Sequence, residues 1–236
     1  MNDNLRLEYR NTKSRKAMEI FVRIFSMFSA CIGLFFLFWI LWTVFKKGYS
    51  VLSLSFFTSA PPSPGEGTGG IYYALVGTLK MTGLAALMGI PLGILAGVYL
   101  AEFGRQTRFA AAVRFCINLL MGIPSILVGL FAYTIIVLST PRHYSGYAGA
   151  FALAIIMFPT VARTCEDMLR LVPDTLRESA LALGIPRWRM IMGILFRFAR
   201  RGIATGVLLA VARVSGETAP LLFTALNNNF YPHRLG

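Results

Sequence analysis

Long apolar runs alternate with short polar stretches along the chain, and this alternation predicts where the helices lie. The first run, Ile24 to Phe45, has no charged residue over 22 positions. A helix of that length, at about 1.5 Å per residue, crosses a hydrocarbon core of about 30 Å. Similar runs predict four further spans at 71–101, 115–138, 147–162 and 202–226. The pattern predicts an all-α integral membrane protein with five visible transmembrane helices.

Three of these runs contain features that bend or interrupt a helix. The run 71–101 is longer than one span, which predicts tilt or an interfacial portion. Pro124 lies inside the third run, and Pro159 predicts an interruption of the fourth. Proline is tolerated in membrane helices where neighbours satisfy the backbone, and it often marks a bend.

The polar segments set the expected orientation. Residues 1–23 form a basic tail, predicted to be partly ordered, and residues 46–70 form a loop on the opposite side. Lys and Arg concentrate in the tail, in residues 102–114 and in residues 171–203. Because cytoplasmic segments carry the excess of positive charge, the tail is expected in the cytoplasm and the loop 46–70 outside.

The stretch 171–203 is the longest polar interruption, and its local chemistry predicts a short helix. Thr175 and Glu178 have the spacing of a capping box, in which each side chain bonds the backbone N–H of the other residue. Leu176, Ala180 and Leu183 are expected on one face of this helix. Gly184 is expected to end it in a left-handed conformation. A second, amphipathic segment begins after Pro186 and places arginines near lipid headgroups.

Composition excludes several function classes. The 236 residues are 56% hydrophobic and 14% charged, with a net charge of +13. The basic residues flank apolar spans instead of forming one soluble face, which argues against nucleic-acid binding. The cysteines and histidines are scattered without metal-ligand spacing, and no span contains a nucleophile–base pair. An enzyme is therefore the least favoured reading.

Two charged residues fall inside the fifth predicted span. Arg213 is expected near the bilayer midplane, with Glu217 one turn further on the same face. A charge at that depth costs about 2.5–3.5 kcal/mol, so both residues need a reason to be there. One reading is a salt bridge that pins the helix to a neighbour. The other is an anion contact, because the guanidinium fork suits phosphate or carboxylate oxygens.

The polar stretch resembles a known signature. Glu178, Ser179 and Ala180, followed after three residues by Gly184, resemble the EAA motif of ABC-importer permeases. The resemblance implies that this segment docks on a partner ATPase, with the small Ser179 and Ala180 allowing close approach. The Leu-Pro pair usual after the glycine is absent from this chain.

Longer runs make the resemblance specific. Residues 91–103, 122–133, 158–184 and 212–230 resemble, in the same order, the PstA-type permeases of phosphate-specific ABC importers. The resemblance implies a bacterial inner-membrane subunit that pairs with a PstC-type permease and a PstB-type ATPase dimer. It also implies a PstS-type phosphate-binding protein that delivers the substrate. ATP and Mg²⁺ belong to the ATPase, and no cofactor of this chain is implied.

The same resemblance assigns roles to residues. It implies that Arg213 and Arg163 act in phosphate passage, and that Glu217 is the glutamate of the Gly-Glu-Thr segment. The permease domain is expected over residues 71–229. Members of the family continue into a sixth helix, whereas residues 230–236 end the chain atypically, which suggests a fragment or a frameshift. Permeases for sulfate, molybdate or another small solute, and a non-transporting scaffold or sensor, remain alternatives.

Overall fold

The computed structural model describes residues 3–62, 69–139 and 144–226, with side chains from residue 14 onward. The atypical end at 230–236 therefore lies outside the described residues. All regular structure in the described ranges is helical. The chain divides into two compact units, residues 1–57 and residues 58–236, and each is described by itself.

The first unit is dominated by one long helix, α1, at Asp3–Gly48. This helix includes residues 3–23, which the sequence analysis assigns to a basic tail. No glycine or proline occurs before Gly33, so nothing in the tail stops the helix. The segment Ser14–Val51 is long and apolar enough to cross a membrane. A 3₁₀ turn at Tyr49–Val51 follows, and α2 at Leu54–Thr58 occupies part of the predicted external loop.

The second unit is built around α6, Gly146–Arg170. Thirteen of its 25 residues are buried, because other helices cover it on several sides. Pro159 lies fully buried within it, and the helix continues to Arg170. The predicted interruption at Pro159 is therefore wrong, since packed neighbours hold the helix together where the proline lacks a donor.

The main partner of α6 is α3, at Tyr72–Val98, which continues into one π-helical turn at Tyr99–Phe103. Gly89, Gly93 and Gly97 face α6 at intervals of four residues. A Cβ added at Gly93 would lie 2.8 Å from the Cβ of Val161, and one at Gly97 would lie 2.7 Å from the carbonyl oxygen of Ala162. These glycines allow the two backbones to approach closely, as small residues do between membrane helices.

The third predicted span is broken rather than continuous. It consists of α4 at Arg108–Gly122 and α5 at Ser125–Ala132, which is extended by a π-helical turn at Tyr133–Val137. The two parts meet at an angle of 102°. Ile123 is extended, with ψ 131°, because the ring of Pro124 disfavours the helical conformation in the preceding residue.

The polar stretch and the fifth predicted span are also divided differently from the prediction. The helical segments here are α7 at Asp174–Ala182, α8 at Arg187–Met190, a π-helical turn at Ile191–Leu195, α9 at Phe196–Ser215 and α10 at Ala219–Thr224. The segment after Pro186 runs directly into α9, so a span over 202–226 is wrong. Pro220 cannot donate to the carbonyl of Gly216, which ends α9 before α10 begins.

Three helices of the described ranges are long and apolar enough to span a membrane, or four if the bent pair α4–α5 counts as one span. The count of five predicted spans is not confirmed. Arg200, Arg201 and Arg213 lower the hydropathy of α9, which is why it falls outside this group. The all-α membrane architecture itself is confirmed.

Candidate functional site

The break between α9 and α10 opens onto a cavity of about 180 Å³. Its wall combines the α4–α5 bend, the middle of α6 and both charged residues of the Arg-Val-Ser-Gly-Glu segment. The lining residues are Leu120, Met121, Ile123, Pro124, Ser125, Ile156, Thr160, Arg213 and Glu217. Two proline-induced breaks and one central helix thus build a partly open pocket, in which Arg213 is exposed and Glu217 is half-buried.

Arg213 and Glu217 share this cavity without bridging each other. Arg213 lies in the last turn of α9, and Glu217 lies beyond its end at Ser215. The expectation of one continuous helix with both residues on one face is therefore wrong. Within the described ranges, the side chain of Arg213 makes no ion pair or hydrogen bond with another residue. Its guanidinium donors are accordingly available to a molecule in the cavity.

The cavity has the chemistry of a small-anion site. Its volume of about 180 Å³ far exceeds the roughly 10–15 Å³ needed for one water molecule. Arg213 offers a planar fork of donors, and the hydroxyls of Thr160 and Ser125 can each donate one further hydrogen bond. Glu217 can only accept when ionised, so it would favour an anion that carries a proton.

Arg163 is not among the residues that line this cavity. It lies on α6 close to one turn after Thr160, with Nε 3.1 Å from Oδ2 of Asp167 and Nη1 3.8 Å from Oε2 of Glu166. The structure thus brings Arg213 and Glu217 together and places Arg163 in a separate charge cluster. A role for Arg163 in the substrate path stays a prediction.

The centre of that cluster is Glu166, which is fully buried. Arg114 of α4 reaches its Oε1 at 2.6 Å, and Arg170 reaches the same oxygen at 2.7 Å. Arg114 also donates to the carbonyl of Leu100, at 2.7 Å. One buried carboxylate therefore joins α4 and α6, and through Arg114 the end of α3. The sequence analysis missed this cluster, although isolated acids beside apolar runs are a signal that a partner exists.

The second candidate surface is α7. It begins at Asp174, and Pro173 precedes it with no side-chain cap, so the predicted capping box is wrong. Instead, the hydroxyl of Ser179 donates to the carbonyl of Thr175 at 2.7 Å. The predicted stop at Gly184 is confirmed by its φ of +72°. Its N–H donates to the carbonyl of Leu181 at 2.9 Å, and the next N–H bonds Ala180 at 3.1 Å, a Schellman motif.

The faces of α7 differ from the prediction. Ala180 is 3% exposed and Arg177 is 7% exposed, so these residues face the body of the unit. Ala180 therefore does not form part of the outer surface, and the predicted apolar face of Leu176, Ala180 and Leu183 is wrong. Glu178 and Ser179 are exposed, as is Leu183. The outer surface of α7 thus combines an acid with exposed leucine side chains.

An exposed ion pair holds the start of α7. Arg105, in the loop after α3, donates from Nη2 to Oδ1 of Asp174 at 2.9 Å. This hydrogen bond, together with the charges of Arg105 and Arg177, lowers the pKa of the Asp174 carboxyl. The same hydrogen bond raises the pKa of the Arg105 guanidinium. The sequence offers no periodic signal for this contact, because its two residues are far apart in the chain.

Comparisons with known proteins match this geometry to a family. Residues 89–232 match the family of the "Binding-protein-dependent transport system inner membrane component". The chain is 51% identical to the phosphate transport system permease protein PstA of Haemophilus influenzae, over 97% of the chain and 79% of that protein. It is 47% identical to the PstA of Yersinia pestis, over 98% and 78%.

A solved structure has the same fold in part. The chain resembles a subunit of the MetNI methionine ABC transporter in an inward-facing form, with a TM-score of 0.56 and 18% sequence identity. The match covers 66% of this chain and 73% of that one. The family model spans more than half of the chain, and the relatives match over most of their own length. The chain therefore belongs to the binding-protein-dependent transport system inner membrane components and, among them, to the PstA permease proteins.

Proposed function

We propose that this chain is the membrane-spanning permease subunit of an ATP-driven phosphate importer. The observation that carries the proposal is the cavity in which Arg213 and Glu217 meet without bridging each other. The relatives near half identical to this chain are named as phosphate transport permeases. In this role the chain forms half of the translocation pathway and performs no chemistry of its own.

The cavity supplies the contacts that a phosphate ion needs on its way through. Arg213 donates two parallel charge-assisted hydrogen bonds to phosphate oxygens, and the hydroxyl of Thr160 adds a neutral one. Glu217 accepts a hydrogen bond from the protonated oxygen of the ion, and its negative charge keeps the net charge of the site low, which prevents tight trapping. Arg163 lies close to one turn further along α6 and serves as the next positive charge on the path.

Coupling to ATP hydrolysis runs through α7. Glu178, Ser179 and the exposed Leu183 form its outer surface, and Gly184 fixes the turn that presents it. An ATPase groove that receives this surface gains apolar burial from the leucine and a charged contact from the glutamate. Hydrolysis on the ATPase then shifts the permease between outward- and inward-facing states.

The proposal implies a defined set of partners. A PstC-type permease completes the pathway, a PstB-type ATPase dimer binds ATP and Mg²⁺, and a PstS-type protein delivers phosphate. The assembly resides in the bacterial inner membrane with the N-terminus of this chain in the cytoplasm. The tail and the arginines of α8 and α9 then face anionic lipid headgroups.

The test is uptake by the whole assembly. The chain is reconstituted with its three partners in vesicles, and the uptake of radiolabelled phosphate, sulfate and molybdate is measured with and without ATP. The proposal expects ATP-dependent uptake of phosphate alone. Uptake of sulfate or molybdate at an equal rate would point to another oxyanion permease, and no ATP-dependent uptake would point to a scaffold or sensor.

A further inference from the structure

Arg177 is a buried arginine at the inner face of α7, with 7% of its surface exposed. Its Nη2 donates to Oε1 of Glu102 at 2.8 Å, and its Nε approaches the same carboxylate at 3.1 Å. The side chain of Glu102 is 6% exposed. Nothing in the EAA-like pattern or in the cavity requires this pair, which joins residues 75 positions apart.

The same guanidinium also binds the end of α6. Nη2 donates to the carbonyl of Leu169 at 2.7 Å, and Nη1 donates to the carbonyl of Val172 at 2.5 Å. Carbonyl groups at the end of a helix lack intrahelical donors, so the arginine satisfies them. A single side chain on α7 thus bonds the end of α6 on one side and, at Glu102, the π-helical turn that follows α3 on the other.

Stability alone is a weak explanation for such a pair. Moving two charges out of water costs free energy that their attraction often fails to return, and apolar replacements of similar volume are frequently as stable. What a buried bidentate arginine supplies is a rigid, directional link. The other polar tether of α7, the bridge from Arg105 to Asp174, is solvent-exposed and contributes little rigidity.

Glu102 is placed where a displacement spreads through the unit. It lies in the π-helical turn that continues α3, and α3 packs on α6 along Gly89, Gly93 and Gly97 with almost no free space. Tightly packed helices move as rigid bodies rather than deform, so a pull on Glu102 displaces α3 along its length. The carbonyl contacts of Arg177, by contrast, link α7 only to the adjoining end of α6.

We infer that the Arg177–Glu102 pair is the joint through which movement of α7 reaches α3, with Arg177 as a positioning residue for ATP coupling. The inference rests on the proposed function, because it assumes that an ATPase moves α7. When α7 is displaced, Arg177 carries Glu102 with it and α3 follows. When the pair is absent, α7 can still bind the ATPase, but its movement reaches α3 only weakly, through α6 and through the exposed bridge from Arg105 to Asp174.

The experiment compares uptake with ATP consumption in the same vesicles. Glu102→Gln keeps the shape of the side chain and leaves Arg177 its carbonyl acceptors. Arg177 also keeps a counter-charge, because its Nη1 lies 2.9 Å from Oδ1 of Asp174, so the assembly forms. We expect normal recovery of the ATPase with the permease, continued ATP hydrolysis, and phosphate uptake per ATP lowered by about ten-fold, within the usual range for coupled sites. The control is Arg105→Gln, which removes the exposed bridge to Asp174, and its uptake per ATP should match the wild type.

Further variants distinguish a pair that transmits movement from a pair that only stabilises the fold. Arg177→Lys keeps the positive charge but loses the planar pair of donors of the guanidinium. Its phosphate uptake per ATP should therefore lie between that of the wild type and that of Glu102→Gln. The double variant Glu102→Leu with Arg177→Met removes both buried charges together, which preserves folding even if a single change does not. It should assemble and hydrolyse ATP while transporting poorly.

Two outcomes would overturn the inference. One is a wild-type ratio of uptake to ATP hydrolysis in the assembled Glu102→Gln complex, and the other is the same ratio in the double variant. Failure of the proposed function has a different signature, because the wild-type complex would then show no ATP-dependent phosphate uptake.

Discussion

The Nε atom of Arg114 lies 2.6 Å from Oε1 of Glu166, and this ion pair ties α4 to α6 inside the bundle. Glu166 has no exposed surface, while Arg163 and Arg170 also lie within ion-pair distance of it. Its second oxygen, Oε2, has no hydrogen-bond donor in the described part of the chain. The carboxylate is thus held by an excess of positive charge rather than by a complete set of hydrogen bonds.

Removal of that negative charge should destabilise the unit. Glu166→Gln leaves Arg114 partly buried without its counter-charge, and breaking a buried pair in this way costs about 3–5 kcal/mol. The measurement is thermal or denaturant unfolding of the purified assembly in detergent. Glu19→Gln is the control, because its pair with Arg23 is exposed and should contribute less than about 1 kcal/mol. Equal stability of the two variants would contradict the account.

The contact between α3 and α6 gives a second prediction. Gly93→Ala introduces a methyl group 2.8 Å from the Cβ of Val161, and such overpacking costs about 1–3 kcal/mol. Gly83→Ala on the same helix meets nothing within 4 Å and should stabilise it slightly. Unfolding midpoints of the two variants, measured side by side, should therefore move in opposite directions. A stabilised Gly93→Ala variant would show that the helices are not close-packed there.

The sequence predicts the all-helical membrane class of the fold well, but it predicts poorly where the individual helices begin and end. The left-handed stop at Gly184 depends on local composition and is confirmed, and three of the five apolar runs lie in single helices that are long and apolar enough to span a membrane. The ends of the spans depend on tertiary packing instead. Pro159 is tolerated because α6 is surrounded, whereas Pro220 sits where α9 can end.

In the candidate site too, the sequence reveals some features and not others. Arg213 and Glu217 are visible in the sequence because charges inside apolar runs are rare. Their relation to each other is not visible, since it depends on the break after Ser215. The contacts of Arg177 with Glu102 and of Arg114 with Glu166 join distant parts of the chain, so no local period reveals them.

The turn after α7 gives a third prediction. Gly184 has φ +72°, a conformation that costs most residues about 1–2 kcal/mol and that asparagine adopts more readily. Gly184→Asn should keep the ATPase bound, because the site is open and the turn survives. Gly184→Arg should lose the ATPase and phosphate uptake while the chain stays in the membrane. Co-purification measures both, and normal ATPase recovery with Gly184→Arg would refute a docking role for this segment.

The link between Arg105 and Asp174 gives a pH-dependent prediction. The pKa of Asp174 is lowered from its ordinary value of 3.8, so the folded state favours the ionised carboxylate. The stabilisation is therefore present above that value and is lost as the pH falls through the lowered pKa. Asp174→Asn should remove this part of the acid sensitivity. Unfolding midpoints measured from about pH 5 down to about pH 2 should fall less steeply in the variant, and an equal fall in both proteins would contradict this prediction.

The central claim is that Arg213 contacts the transported anion. If Arg213 and Glu217 were only structural, the double change to Leu at both positions would remove both charges and restore transport relative to either single change. If Arg213 binds phosphate, no apolar side chain replaces its donors, and Arg213→Lys retains only part of the activity. Glu217→Gln should have the mildest defect, because it leaves the guanidinium in place.

The most direct measurement is ATP-dependent phosphate uptake per assembled complex for Arg213→Leu, for the Leu–Leu double variant and for Arg201→Leu. Arg201 is an exposed arginine on the same helix that does not line the cavity, so it controls for loss of charge on α9. The account predicts no uptake by the first two variants and near-normal uptake by the third, with the ATPase bound in all of them. Uptake restored in the Leu–Leu double variant would contradict it.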